Sequence, residues 1–367
     1  MRILIDYRPA LRQRTGVGGF AHALAAALVG ELPADDRVTL FSSSWKDRLS
    51  TAALPGADVV DSRIPVRLLN LAWHRLAWPP VEWLAGTVDV VQSLHPLLLP
   101  SRGAAQFVTI HDLDFLDHPE RTTAEIRRDY APLAASHAAR ADGILVPSAH
   151  AASLVMSRFG ISADRLVIFP PVTSALERRI EPPPFGPILF VGTIEPRKNV
   201  TGLIAAYERL LEAMPHAPRL VLAGAVAPGA ESLLQTSSTA SARIDSPGYV
   251  SDEERARLYQ SASMLVLPSF DEGFGIPVAE AMSIGVPVVV SNRGSLREMA
   301  GDAALTVNPD DHAALAAAMQ RVLLDEPLRR RMVEAGIKRT GAYDPAAAAR
   351  RVLDGYRAAL ARRRSPR

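Results

Sequence analysis

Leu267-Pro-Ser-Phe-Asp-Glu-Gly-Phe-Gly-Ile-Pro-Val-Ala-Glu-Ala-Met-Ser-Ile-Gly-Val-Pro287 decides the fold. The apolar run Ser263 to Leu267 before it fits a buried parallel strand that Pro268 stops. Gly273 and Gly275 allow positive φ and carry no Cβ to keep a ligand from the amides between them. Pro277 stands where the first turn of a helix favours proline, so Val278 to Ile284 reads as a helix whose free N–H groups face the loop. Such an end attracts anions. Gly285-Val-Pro-Val-Val-Val290 then reads as a further strand.

Two carboxylates frame this helix start, Glu272 in the loop and Glu280 one turn in. As capping charges they would contribute roughly 0.3–1 kcal/mol. Carboxylates are equally the natural acceptors for sugar and ribose hydroxyls. Glu272 and Glu280, with seven residues between them, resemble the Glu-x7-Glu motif of retaining glycosyltransferases of family 4. The resemblance implies a GT-B fold, α/β, with two doubly wound Rossmann-like domains facing across a cleft. It implies that Glu272 and the amides of Gly273, Phe274, Gly275 and Ile276 contact a donor sugar, and that Glu280 holds the nucleotide ribose.

At 367 residues the length suggests two domains, each able to bury a core. Cysteine is absent, which excludes disulfides and thiolate metal sites. The formal net charge of +2 points away from nucleic acid as a partner. Met1-Arg-Ile-Leu-Ile5 leads straight into Asp6, so no cleavable signal is expected, and no apolar run reaches the ~20 residues of a membrane span. The expected location is the cytoplasm, with the membrane surface as an alternative.

In the first half, Arg2 to Ile5 reads as a strand and Gly19 to Leu28 as an alanine-rich helix. Gly16-Val-Gly-Gly-Phe-Ala21 formally fits a dinucleotide fingerprint, but ten residues including Pro9 separate Gly16 from Ile5, too many for the tight turn that fingerprint needs. Thr-Gly-x-Gly after a first strand instead resembles the donor-phosphate and acceptor loop of family 4, which implicates Gly16 and Gly18. Val66 to Leu84 holds three of the four tryptophans beside Arg67, His74 and Arg75. It reads as a surface helix packing Leu and Trp inward or as an amphipathic membrane-surface segment. Strands are expected at Val88–Val91, Phe107–Ile110, Asp142–Ser148 and Arg165–Phe169. His111 follows one of them in Thr-Ile-His-Asp-Leu, which resembles the family's His-Asp motif, whose His faces the donor sugar. His95, His118 and His137 have no such context, and Gln92 stands where relatives often show His.

Pro170 to Pro187 reads as a linker, so the expected domains are 1–172 and 188–345, joined by 173–187, with a helix over 346–367 crossing back to the first. The second half restarts with the strand Ile188 to Ile194. Gly192-Thr-Ile-Glu-Pro-Arg-Lys-Asn199 resembles the family's Gly-x-x-x-x-x-Arg-Lys-Asn motif, in which Arg197 and Lys198 would grip the donor diphosphate; Lys occurs only at 46, 198 and 338. Ser251 and Glu254 fit a capping box, and the family sets the nucleotide base against Tyr249 and Val250. Arg362 to Arg364 reads as a solvated tail, with attraction to anionic lipid as the alternative.

These residues imply a retaining transfer of a sugar, best matched by mannose from GDP-mannose, to a saccharide or lipid-linked hydroxyl. The catalytic set would be His111, Arg197, Lys198 and Glu272. No cofactor is expected beyond the nucleotide-sugar substrate, and no metal, because fixed cations replace it. Rival readings are a nucleotide-sugar epimerase of the same fold and a non-catalytic two-domain binder.

Overall fold

The computed structural model describes residues 1–11, 16–122, 124, 126–170, 177–179, 183, 185–236 and 238–364. Thr15 of the Thr-Gly-Val-Gly loop and much of the proline-rich stretch 170–187 lie outside them. Two compact units divide the chain: Met1–Val172 with Asp344–Arg367, and Thr173–Tyr343.

The first unit is a seven-stranded parallel sheet. Its strands are β1 (Arg2–Asp6), β2 (Arg37–Ser42), β3 (Asp58–Asp61), β4 (Val90–Gln92), β5 (Ala105–Thr109), β6 (Gly143–Val146) and β7 (Leu166–Ile168), in the order β3-β2-β1-β4-β5-β6-β7. Ile3 pairs with Val38 on one side and Val90 on the other, so the order reverses between β1 and β4. Ligands of open α/β sheets gather beyond the carboxyl ends of strands at such a reversal. β3, an edge strand with an acid at each end, lacks the continuous apolar run that marks the buried strands and is not legible in the sequence.

The helix Pro345–Arg364 belongs to this unit. Its Ala348, Ala349, Val352, Leu353, Tyr356 and Ala359 are buried with Phe20, Leu24 and Leu28 of the helix Val17–Glu31. Each of Val352 and Leu353 contributes roughly 1.5–3 kcal/mol by leaving water. Arg362 to Arg364 are exposed, in keeping with a solvated end, and two of them are tethered: Arg362 donates to the Asp142 carbonyl at 3.0 Å and Arg363 pairs with the Asp142 carboxylate at 2.8 Å. The segment Val66–Leu84 also departs from a simple inward-packing helix. Val66–Leu76 buries Leu69 and Trp73 but leaves Leu68, Leu71 and Leu76 exposed, and Trp78 and Trp83 beyond it are exposed too.

The second unit is a six-stranded parallel sheet built from β8 (Ile188–Val191), β9 (Leu220–Ala223), β10 (Ile244–Gly248), β11 (Met264–Leu267), β12 (Val288–Ser291) and β13 (Leu305–Val307). The order β10-β9-β8-β11-β12-β13 reverses between β8 and β11. Pro247 sits in β10, which tolerates it as an edge strand whose register shifts between Asp245 and Gly248. The helix Ile276–Ile284 starts two residues earlier than expected and is buried on most of its faces. Arg179 is buried in this unit: its guanidinium donates to the Gly285 carbonyl at 2.9 Å and the Ala262 carbonyl at 2.6 Å, and burial lowers its pKa to about 10. That fixes a residue of the expected linker to the carboxyl end of the Ile276–Ile284 helix. No helix among the described residues is long and apolar enough to cross a membrane.

Candidate functional site

In the second unit the loops after β8 and β11, the two strands flanking the reversal, are tied together. Asn199 takes a left-handed conformation (φ 54°), caps the helix Val200–Ala213 by accepting from the Gly202 amide at 3.2 Å, and donates to the carbonyls of Pro268 and Pro309. The Phe270 amide donates to the Arg197 carbonyl at 2.9 Å. Arg197 and Lys198 are thereby held against the loop that carries Glu272.

Glu272 is 6% exposed and its carboxylate is shared. Lys198 Nζ donates to Oε1, Arg197 Nη1 to Oε2 at 3.2 Å, and Ser269 Oγ to Oε1 at 2.8 Å. Burial alone would raise the pKa of this group, but the two cations and their hydrogen bonds outweigh it, and the carboxyl lies below its ordinary value. Arg197 is also paired with Glu195 at 2.9 Å and donates to the Asp271 carbonyl. Two cations sharing one carboxylate in a buried loop junction can receive an anionic leaving group.

The helix Ile276–Ile284 opens beside this cluster. Gly275 is its N-cap with φ 93°, and a Cβ there would lie 2.6 Å from Leu296 Cδ2. The Val278 and Ala279 amides bond to the Gly275 carbonyl and Pro277 has none, which leaves the Ile276 amide without an intrahelical acceptor. Ser295 Oγ donates to the Glu272 carbonyl at 2.6 Å and fixes the loop leading in. Phe274 is buried, its ring edge-on to Tyr343 at 5.7 Å.

Glu280 is not part of the Lys198 cluster. It is 4% exposed and accepts from Tyr259 Oη at 2.9 Å and Arg255 at 3.3 Å. Burial raises its pKa despite Arg255. The loops after β9 and β10 lie alongside: the Gly192 amide donates to the Ala223 carbonyl at 3.0 Å and the Gly224 amide to the Gly248 carbonyl at 2.9 Å. A Cβ on Gly224 would stand 1.9 Å from the Gly192 carbonyl oxygen, so only glycine allows these loops to approach. Tyr249, 56% exposed, and half-buried Val250 follow β10, and Ser251 with Glu254 forms the expected capping box.

His111, Gly16 and Gly18 belong to the first unit. Gly16 (φ 54°) is the N-cap of Val17–Glu31, and Gly18 is buried in its first turn. His111 follows β5, its ring edge-on to Phe20 of that helix at 4.8 Å, with Nε2 3.4 Å from the Leu94 carbonyl; burial lowers its pKa.

Sequence reasoning missed a polar cluster at the β1/β4 reversal. Asp6, ending β1, receives a forked pair of 2.7 Å bonds from Arg8, and His95, dismissed for want of context, places Nε2 3.5 Å from it. Burial would raise the Asp6 pKa, but Arg8 holds it well below the usual range. His95 stacks on Tyr130 at 5.7 Å, and His74 pairs with Asp129 at 3.1 Å. An acid directly after a first strand was the available signal. Gln92, which stands where relatives often show His, is buried, accepts from Tyr356 Oη at 2.8 Å and donates to Thr109 and the Ser93 carbonyl.

Residues 14–173 match the family model described as Glycosyltransferase Family 4, and residues 181–339 the one described as Glycosyl transferases group 1. The chain is 32% identical over 354 residues to the O-antigen chain mannosyltransferase B of Escherichia coli, covering 90% of this chain and 92% of that protein. Its fold resembles that of sucrose-phosphate synthase from Thermosynechococcus elongatus (TM-score 0.78, 21% identity, 99% of this chain and 100% of the other). It also resembles WaaG, a glycosyltransferase involved in lipopolysaccharide biosynthesis (TM-score 0.70, 16% identity, 96% and 99%).

Proposed function

The chain belongs to glycosyltransferase family 4 and is a sugar-transferring enzyme built of the two Rossmann-like units of the GT-B fold, and from that premise we propose that it moves mannose, with retention, from GDP-mannose to a saccharide or lipid-linked hydroxyl in cell-surface polysaccharide synthesis. The observation carrying this is the Lys198–Glu272–Arg197 cluster beside the open Ile276 amide, beyond the carboxyl ends of β8 and β11. The mannose preference is supported by the relative that is alike over nine-tenths of the chain.

In this reading the donor diphosphate lies on Lys198, Arg197 and the helix start, with Gly192 and Gly224 giving it backbone access. Glu280, held by Tyr259 and Arg255, takes the ribose, and the base lies by Tyr249 and Val250. As the bond from the anomeric carbon to the phosphate oxygen breaks, charge grows on that oxygen and the fixed cations stabilise it. The acceptor oxygen bonds to the same face of the sugar and its proton passes to the departing phosphate, so no protein nucleophile is needed. Within the first unit, His111, kept neutral by burial, takes the sugar-facing role that the family's His-Asp motif implies, and the Asp6–His95 cluster is the group available to acceptor hydroxyls.

The test is a donor panel of GDP-mannose, UDP-glucose and ADP-glucose with a mannose-terminated oligosaccharide. The new linkage is followed by NMR, and Lys198→Ala is assayed beside the parent. GDP-mannose should be preferred, the product should be an α-linkage, and Lys198→Ala should lower turnover at least tenfold. Lys198 is buried against Glu272, so melting is measured alongside. Turnover unchanged in a folded Lys198→Ala protein would overturn the reading, as would a β-linked product.

A further inference from the structure

The helix Val66–Leu76 has two chemically different faces. Inward, Leu69 and Trp73 are buried, Asn70 accepts from Arg8 at 2.7 Å and His74 holds Asp129. Outward, Leu68, Leu71 and Leu76 are 61%, 52% and 71% exposed, and just beyond the helix Trp78 and Trp83 are 53% and 56% exposed. Twelve large apolar side chains are exposed among the described residues, and five of them fall within these sixteen positions. Scattered singly, exposed apolar side chains need no explanation, but a contiguous group marks an interaction surface. The two tryptophan rings meet edge to face at 5.8 Å, and Arg102 lies 4.9 Å over Trp83.

A cavity of about 220 Å³ opens beside this face, with Arg75, Arg140, His74, His137, Trp73 and Ser136 among its lining residues and no carboxylate among them. Arg75 and Ala77 line its mouth and are exposed, as are Leu76 and Trp78 beside them. Arg75 and Arg140 have no hydrogen-bond or ion-pair partner among the described residues. His137 Nδ1 accepts from the Leu98 amide at 2.8 Å, which fixes the neutral ring as a donor through Nε2. Unpaired guanidinium groups and a donor histidine in a cavity without acids call for an anion.

We propose that this surface docks on an anionic phospholipid bilayer, a headgroup phosphate entering the Arg75–Arg140–His137 cavity while Leu68, Leu71, Leu76 and Trp78 insert at the level of the headgroups. Aromatic, aliphatic and arginine side chains on one face are the composition that a lipid–water interface takes. A second copy of the chain fits less well, because a two-fold contact through this face would bring Arg67 and Arg75 of both copies into one interface. The inference deepens the reading of a lipid-linked acceptor and rests on it only for the benefit of membrane location. Vesicle binding needs neither donor nor acceptor, so the two can fail separately.

Co-sedimentation of the full chain with phosphatidylcholine vesicles, with and without phosphatidylglycerol, tests it. The chain should bind the anionic vesicles and bind the neutral ones at least tenfold more weakly. Arg75→Gln/Arg140→Gln should weaken anionic-vesicle binding by about tenfold or more, since each basic group at such a surface counts. Leu71→Ser/Trp78→Ser should abolish retention at high salt, and a chain with Arg362, Arg363 and Arg364 all changed to Gln should bind like the parent. These positions are exposed, so melting should be unchanged. Absence of vesicle binding, or loss only in the terminal-arginine variant, would overturn the proposal. So would stabilisation by inorganic phosphate through Arg75 and Arg140 without vesicle binding, or a dimer in solution that Leu71→Ser/Trp78→Ser dissolves.

Discussion

Glu272→Gln should destabilise the free protein and strengthen its hold on a nucleoside diphosphate. The carboxylate is buried and shared by Lys198, Arg197 and Ser269. Removing its charge leaves the Lys198 ammonium without its carboxylate partner, and breaking a buried pair costs about 3–5 kcal/mol. Gln keeps the shape and one acceptor, so the lower end, about 3 kcal/mol, is expected. The unit Thr173–Tyr343 spans 171 residues (343 − 173 + 1), a size at which each kcal/mol moves the midpoint by roughly 2–4 °C, giving a drop of about 6–12 °C. GDP returns negative charge to the same cations, so its stabilising shift should be larger in the variant. Recovery of even half of that loss makes GDP bind about tenfold more tightly. The folded Glu272 pKa lies below its ordinary 4.5, so its contribution is present above that pH and is lost as pH falls through the folded value. The gap between parent and variant should therefore close in acid. Scanning fluorimetry across GDP concentrations and pH, with calorimetric titration, measures all three effects. A variant that melts with the parent, or binds GDP more weakly than the parent, would refute the reasoning.

Arg179→Met should cost about 1–3 kcal/mol by stranding the Gly285 and Ala262 carbonyls, seen as a lower denaturant midpoint for the second unit. Tyr356→Phe should cost a similar 1–3 kcal/mol because Gln92 Oε1 is left buried and unpaired, with the loss confined to the first unit's transition. Gly224→Ala drives a Cβ to 1.9 Å from the Gly192 carbonyl oxygen, so the loops must part; GDP binding should fall at least tenfold by calorimetry while the chain still folds. His137 has a folded pKa depressed from 6.5 to about 4 by burial and by Arg140, so the unfolded chain binds the extra proton between those values. Stability should fall as pH drops through that window, and His137→Gln should flatten the decline.

The second unit was the more legible half because its chemistry is written in contiguous segments. Gly192 to Asn199 and Glu272 to Glu280 each run from strand end to helix start, so residue type and local geometry can be read together. What the sequence could not show was pairing across those segments: that Glu272 balances Lys198 and Arg197, and that Glu280 is held apart by Tyr259 and Arg255. The first unit was harder, since Asp6 with Arg8, His74, His95 and Asp129 come from four separate stretches that only the fold gathers. β3 and β13 escaped because short edge strands need no apolar run. The helix at Val66 was half read: its period shows the buried Leu69 and Trp73, while the exposure of Leu68, Leu71 and Leu76 follows from how much neighbouring structure covers the helix, which a helical period does not encode.

A crystal structure of the protein grown with GDP bears most directly on the central claim. The diphosphate should lie within hydrogen-bonding distance of Lys198 Nζ, the Arg197 guanidinium and the Ile276 amide, with the ribose hydroxyls on Glu280. Phosphates bound anywhere else, with the Lys198–Glu272–Arg197 cluster undisturbed and empty, would contradict it.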